Sequence, residues 1–278
     1  MIQLKGYQQR VLDSLTDFLA DCANSHSPES AYQQITERVY GSIQHYTHIV
    51  DHRFANMPYV CIWFPTGGGK TLLACHTVGI TLNQYIPADH AFVLWLVPSN
   101  TILEQTAKAL RDPRHPYRRA LELSCSGPVE VMTIDEALRM SKAAADGQTV
   151  VIVSTIQCFR VTDPEGRKVY GGDNSHMADH MSSVSPDRFK DLNLGPDGKP
   201  LPSLINLLRV RRPIVIVDEA HNARTELSFT TLANVLPSCI IEFTATPDTT
   251  KNPSNVLHRV SAAELKAENM VKLPLRVV

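Results

Sequence analysis

With 278 residues, 43% of them hydrophobic and 20% charged, the chain has the composition of ordinary folded material and can bury one large core or two modest ones. Its 27 lysines and arginines against 28 acids give a formal net charge of −1, which excludes a chain-wide basic footprint and leaves only local contacts to any polyanion. The polar start, Met1 to Arg10, does not read as a secretory leader, and the apolar run Ala91 to Val97 is far shorter than the ~20 residues that span a bilayer. A soluble, cytoplasmic protein without a membrane partner is expected, and six scattered cysteines with no C-x-x-C pair fit reduced, buried thiols.

Val11, Leu12, Leu15, Phe18 and Leu19 recur at helical spacing behind Tyr7, so an amphipathic helix is predicted from about Gly6 to Asp21. A polar break, Asn24 to Glu29, separates it from a second predicted helix, about Ser30 to His52. On that helix His45, His48 and His52 fall at i, i+3 and i+7, a spacing that suits either a metal site or three solvated imidazoles; only Asp51 offers itself as a further ligand, and the second reading is preferred. Short apolar runs then alternate with helix-like stretches: Tyr59–Phe64, Ala91–Val97, Val129–Thr133, Thr149–Ser154, Ile214–Val217 and Ser238–Thr244. Val, Ile and Leu without polar alternation imply strands covered on both faces, and helical connections imply crossovers. Together they predict an α/β fold with a mainly parallel, doubly wound sheet and helices on both faces. From Thr162 to about Pro202 glycine and proline displace large apolar residues, so that stretch is expected to be a surface insertion.

The strand Tyr59–Phe64 runs straight into Pro65-Thr66-Gly67-Gly68-Gly69-Lys70-Thr71, and a helical run, Leu72–Ile80, follows. Strand, glycine turn, Lys-Thr and helix is the context of a phosphate-binding loop: the glycines let backbone N–H groups turn inward, and the helix N-terminus adds partial positive charge. Thr66, Gly67, Gly68 and Gly69 are the expected cradle, Lys70 the contact to the β- and γ-phosphates, and Thr71 a Mg²⁺ ligand. Phe64 stands where the strict pattern has glycine. Farther on, Ile214–Val217 delivers Asp218-Glu219-Ala220-His221 at a strand's C-terminal end, where open α/β sheets bind ligands. Asp218 is expected to hold Mg²⁺ and Glu219 to orient and deprotonate the water that attacks the γ-phosphate, with His221 completing the catalytic motif. ATP and Mg²⁺ are the expected cofactors.

Taken in order, these motifs resemble the superfamily 2 DEAD/DEAH-box helicases, and within them the helicase-type subunit of Type III restriction enzymes, over nearly the whole chain. The resemblance implies N-terminal helices with a Gln motif at 1–56, a RecA-like ATP-binding motor domain at 57–260, and at 261–278 the start of a connection to a second motor domain. Tyr7-Gln8 is similar to the Gln motif, which implies that Gln8 reads adenine. Val97-Pro98-Ser99-Asn100-Thr101 is similar to motif Ia, implying nucleic-acid backbone contacts from Pro98, Ser99 and Thr101. Ser154-Thr155-Ile156-Gln157 is similar to a later contact motif, implying Thr155 and Gln157. Thr244-Ala245-Thr246-Pro247 is similar to motif III, implying that Thr244 and Thr246 couple the ATP site to the nucleic-acid site.

The implied partners are DNA, a second RecA-like domain of a longer chain, and a modification or nuclease subunit. The implied function is an ATP-driven DNA helicase or translocase. The catalytic arginine then belongs to the second domain, so this chain is expected to bind ATP but to hydrolyse it weakly. The alternatives are a nucleotide-gated nucleic-acid-binding module that does not unwind, and a small-molecule P-loop kinase. Two arginine clusters, Arg111, Arg114, Arg118 and Arg119, then Arg209, Arg211 and Arg212, read equally as phosphate grips or as solvated and capping charges. His176 and His180 are read as no metal site, and Pro196-Asp197-Gly198-Lys199 as a turn rather than a nuclease motif.

Overall fold

The computed structural model describes residues 3–48, 54, 56–125, 127–160, 168–219, 226–250, 253–268 and 270. Helix α1 (Gly6–Ser25) buries the stripe Tyr7, Val11, Leu12, Leu15, Phe18 and Leu19, and ends where His26 turns left-handed. Helix α2 (Pro28–Tyr40) starts at Ser27, whose hydroxyl accepts the Ser30 N–H at 3.2 Å. It stops at Gly41, φ +72°, well short of the expected His52, because a left-handed glycine ends the helical hydrogen bonding. Asn255 clasps the non-helical segment that follows: it accepts the Thr47 N–H at 2.7 Å and donates to the Thr47 and Tyr59 carbonyls at 2.9 and 3.0 Å. His45 and His48 therefore share no helical face, and His48 pairs with Glu29 at 3.2 Å. His52 lies outside the described residues.

The sheet begins with β1 (Tyr59–Trp63), followed by α3 (Lys70–Gln84), β2 (Phe92–Val97), α4 (Asn100–Arg111), α5 (Pro116–Ser124) and β3 (Val129–Met132). Two short helices, α6 (Ile134–Ala137) and α7 (Lys142–Asp146), lead to β4 (Thr149–Thr155). Then come α8 (Ser175–Ser182), α9 (Leu204–Arg211), β5 (Ile214–Asp218), α10 (Glu226–Asn234), β6 (Cys239–Thr244), β7 (Val256–Arg259) and α11 (Ala262–Ala267). Every apolar run read as a strand is one. The seventh strand, β7, has no such signature: Val-Leu-His-Arg is short and half polar, and it becomes a strand only by pairing with β1 at the sheet edge.

Within this sheet of described residues every strand pairing is parallel, in the order β3-β4-β2-β5-β6-β1-β7. Alternate strand residues feed two cores, one under α1, α3 and α5, the other under α8, α9 and α10. This is the doubly wound α/β architecture expected, with helices on both faces. The described part of the presumed insertion, 168–202, departs from its reading: Val169, Met177 and Met181 are buried in the second core, with α8 packed on α9. A few apolar groups suffice there because methionine fills irregular gaps, which a high glycine and proline content obscures. Pro196–Lys199 is a turn, with Gly198 at φ +73° and the Gly195 N–H donating to the Lys199 carbonyl at 2.8 Å. Five of the six cysteines are buried, and no helix among the described residues is long and apolar enough to cross a membrane.

Helices α3 and α5 meet so closely that a Cβ on Gly79 would lie 2.1 Å from the Ser124 carbonyl oxygen. Gly79→Ala is expected to destabilise the fold by about 3 kcal/mol, since backbone rather than a side chain must yield. The thermal midpoint should fall by roughly 6–12 °C, and a drop under about 2 °C would contradict this packing.

Candidate functional site

The phosphate loop leaves β1 through Phe64 and Pro65 and turns at Gly67 and Gly69, whose φ values of +82° and +92° are strained for any residue with a side chain. Gly68 is required for a different reason: a Cβ there would lie 2.4 Å from the Phe64 ring. Phe64, the departure from the strict pattern, is thus accommodated by the missing side chain of Gly68 and packs against Tyr7 with ring centroids 5.6 Å apart. The loop is also held from α1, where the Tyr7 hydroxyl and the Gln8 amide both donate to the Gly68 carbonyl, at 3.1 and 3.3 Å. The Gln8 carbonyl accepts the Lys5 N–H at 2.9 Å, so both ends of that amide are engaged. From the other terminus, Leu265 of α11 approaches the same glycine.

Lys70 opens α3, nearly buried, with its Nζ 2.7 Å from Glu219 Oε1. The Thr71 hydroxyl donates to Asp218 Oδ2 at 3.3 Å. Strand β5 thus brings its acidic pair to the loop from across β6, which lies between β5 and β1. Glu219 sits at φ +59°, a left-handed conformation that costs a non-glycine residue of order 1 kcal/mol, and its N–H donates to the Phe243 carbonyl at 2.9 Å. Tyr117 of α5, which carries no sequence signal, adds a phenol whose hydrogen bond to Thr71 partly offsets the upward push of burial on its pKa. His221 lies outside the described residues.

Two carboxylates, an ammonium and a hydroxyl, at the N-terminus of α3 beside a glycine turn, form a donor set that fits a magnesium-bound triphosphate: the hydroxyl and Asp218 suit a hard cation, the lysine and the helix N-terminus an anion. Thr244 and Thr246 form a tight turn after β6, in which the Thr246 N–H donates to the Thr244 hydroxyl at 3.1 Å. Pro98 and Gln157 line a cleft that reaches Asp218 and Glu219. Of the other residues implied for nucleic acid, Ser99 spends its hydroxyl capping α4, Thr101 is exposed on that helix's first turn, and Thr155 is buried with its hydroxyl 3.7 Å from the Cys158 sulfur.

The arginine clusters turn out to be largely structural. Arg111 donates to the Val131 carbonyl at 3.1 Å and pairs with Glu136, while Arg118 binds Glu122 at 2.7 Å and the Val129 carbonyl at 2.8 Å, so both tie helices to β3. Arg114 and Arg119 are exposed. Arg209, Arg211 and Arg212 bind the Asn234 carbonyl, Asp146 and Asp191 respectively. His180 is buried against the Met140 carbonyl, and no metal-ready group of His, Cys, Asp and Glu occurs among the described residues.

A family model, Type III restriction enzyme, res subunit, matches residues 1–249. The chain belongs to that family. No curated protein matches this res-family chain. Among solved structures, a nuclease-deletion mutant of the Type ISP restriction-modification enzyme LlaGI, in complex with a DNA substrate mimic, is 15% identical, covering 98% of this chain and 21% of that one at a TM-score of 0.41. The Hef helicase domain of Pyrococcus furiosus is 19% identical, covering 70% of this chain and 31% of that one at a TM-score of 0.35. The res-family chain therefore spans under a third of either structure's length.

In this res-family site the Asp218 carboxyl is pushed up to about 6, first by burial and then by the charge of Glu219, against the pull of Lys70 and Thr71. Because the folded value lies above the unfolded value of about 3.9, ionising Asp218 opposes folding, and stability of the metal-free protein is lost as pH rises between roughly 4 and 6. Metal binding requires the ionised form. Mg²⁺-dependent nucleotide affinity should therefore fall about tenfold as pH drops from about 7 to 5, with a flatter profile in Asp218→Asn; a pH-indifferent affinity would argue against this carboxyl as the ligand.

Proposed function

We propose that this chain is the N-terminal, ATP-binding motor domain of a superfamily 2 DNA helicase or translocase from a restriction-type system. The observation that supports this most strongly is the approach of Lys70 and Thr71 to Glu219 and Asp218 across the C-terminal ends of β1 and β5, at 2.7 and 3.3 Å. In this reading residues 66–69 cradle the phosphates and Lys70 moves from Glu219 to the β- and γ-phosphoryl oxygens. Thr71 and Asp218 would hold Mg²⁺, which when bound would supply charge neutralisation. Once Lys70 has moved, Glu219 takes the proton of the attacking water, and His221 belongs to the same catalytic set. Gln8 reads adenine by exchanging one of its two present contacts for the base.

Thr244 and Thr246 connect this centre to DNA contacts at Pro98, Thr101 and Gln157, while Ser99, capping α4, and the buried Thr155 hold the segments that carry them. Domain limits of 1–56, 57–260 and 261–278 follow from this reading, the last leading into a second RecA-like domain. That domain supplies an arginine, worth about 10³–10⁵ in rate in well-studied NTPases, so the present chain turns over slowly. A modification or nuclease subunit completes the system.

The two charged partners should respond oppositely to neutralisation. Lys70→Ala is expected to weaken Mg-nucleotide binding by about 100-fold, from the lost charge-assisted contacts. Glu219→Gln should tighten it several-fold by freeing Lys70, while lowering whatever turnover is present by about 100-fold or more. Calorimetric titration with a non-hydrolysable ATP analogue measures the first pair, and phosphate release the last. Fast, DNA-stimulated turnover by this chain alone contradicts the missing-arginine account. Phosphoryl transfer to a metabolite, with no DNA binding in any nucleotide state, would instead establish the kinase.

A further inference from the structure

The end of β6 is gripped from both sides. From β5 the Glu219 N–H donates to the Phe243 carbonyl at 2.9 Å, and from β1 the Phe64 N–H donates to the Thr244 carbonyl at 2.8 Å. The 244–246 turn thus bridges the acidic strand end and the strand that feeds the phosphate loop. Both tethers are backbone groups. A further one is a side chain: the Trp63 indole N–H donates to the Ala245 carbonyl at 3.0 Å. The Arg259 guanidinium, from the edge strand β7, lies 4.0 Å over the centre of that indole, within cation–π range. The pair is held in register, because Trp63 and Arg259 are strand partners and the Val260 N–H donates to the Trp63 carbonyl at 2.9 Å.

We propose that Trp63, clamped by Arg259, is a positioning residue that carries the state of the phosphate loop to the 244–246 turn. The proposal rests on the motor reading above and adds two residues to it. Consecutive donors, Phe64 and Trp63, hold consecutive carbonyls, Thr244 and Ala245, so the turn must follow the strand end when the loop rearranges around phosphate. Without the indole N–H, one backbone bond remains on that side and Ala245-Thr246 can pivot about Thr244. Strand alternation places the Trp63 side chain on the face opposite Phe64, which is the one packed on Gly68 and Tyr7. The effect is therefore transmission and not cradle shape.

Wild type, Trp63→Phe and Arg259→Ala of this chain would be titrated with a magnesium-bound, non-hydrolysable ATP analogue, and with a short fluorescein-labelled DNA duplex in its presence and absence. Trp63→Phe keeps the ring and loses the donor. Its nucleotide affinity is expected to stay within about twofold of wild type, while the analogue's effect on DNA affinity shrinks about fivefold or more; Arg259→Ala falls between. The chain has two tryptophans, and Trp95 is fully buried, so an analogue-induced emission change should be present in wild type and lost in Trp63→Phe. Should Trp63→Phe unfold, the exposed Arg259→Ala substitution carries the same comparison. Full coupling retained in Trp63→Phe or, if that variant unfolds, in Arg259→Ala overturns the proposal, as does a wild type that binds nucleotide with no effect on DNA. A wild type that binds no nucleotide fails earlier, and removes the motor reading itself.

Discussion

An almost fully buried ammonium group sets the terms of this structure. Lys70 is 7% exposed and stands 2.7 Å from Glu219, while the same burial lifts Asp218 to about 6. Burying charge costs several kcal/mol per ion unless a partner compensates it, so this corner of the fold is balanced only as a set. A lysine and two acids crowded at strand ends are unfavourable as a core and well suited to receiving an anion together with a cation. The sheet imposes the crowding: β5 and β1 flank β6, and parallel strands deliver their C-terminal ends to one edge.

Gly68 is where the two ends of the chain meet that centre. Its carbonyl takes hydrogen bonds from Tyr7 and Gln8, and its Cα faces Phe64 and Leu265. Helices α1 and α11 are joined to each other by Arg10 and Glu264 at 2.7 Å and by the Gly6 N–H and Glu268 at 3.3 Å. Exposed pairs of this kind contribute little stability individually. Their consequence is geometric: the N-terminal helix and the last described helix are positioned on the phosphate loop, so motion of either is felt there.

Strand end, loop and acidic motif form one continuous structure rather than separate sites. The cleft at Pro98 and Gln157 opens onto Asp218 and Glu219, and the turn after β6 touches both halves of the nucleotide site. Rigidity comes from parallel strands buried on both faces, and the adjustable parts are the loops at their ends.

Local sequence was sufficient for the five interior strands, for β3 at the sheet edge and for the phosphate loop. Strands buried on both faces are spelled as unbroken Val, Ile and Leu, and a loop with left-handed torsions at Gly67 and Gly69 must be spelled with glycine. The end of α2 is not legible in the sequence: the predicted helix runs on to His52, whereas the left-handed Gly41 stops it. Other features existed only after assembly. Strand β7 needs β1 as a template, Met177 and Met181 need α9 to cover them, and Arg111 and Arg118 find carbonyls on β3, where the sequence left phosphate grips and solvated charges equally open. The Gln8–Gly68 contact, the Lys70–Glu219 pair and the Trp63–Arg259 stack belong with these. Each joins residues far apart in the chain, and such contacts depend on which surfaces the packed sheet brings face to face, information that no local window of residues contains.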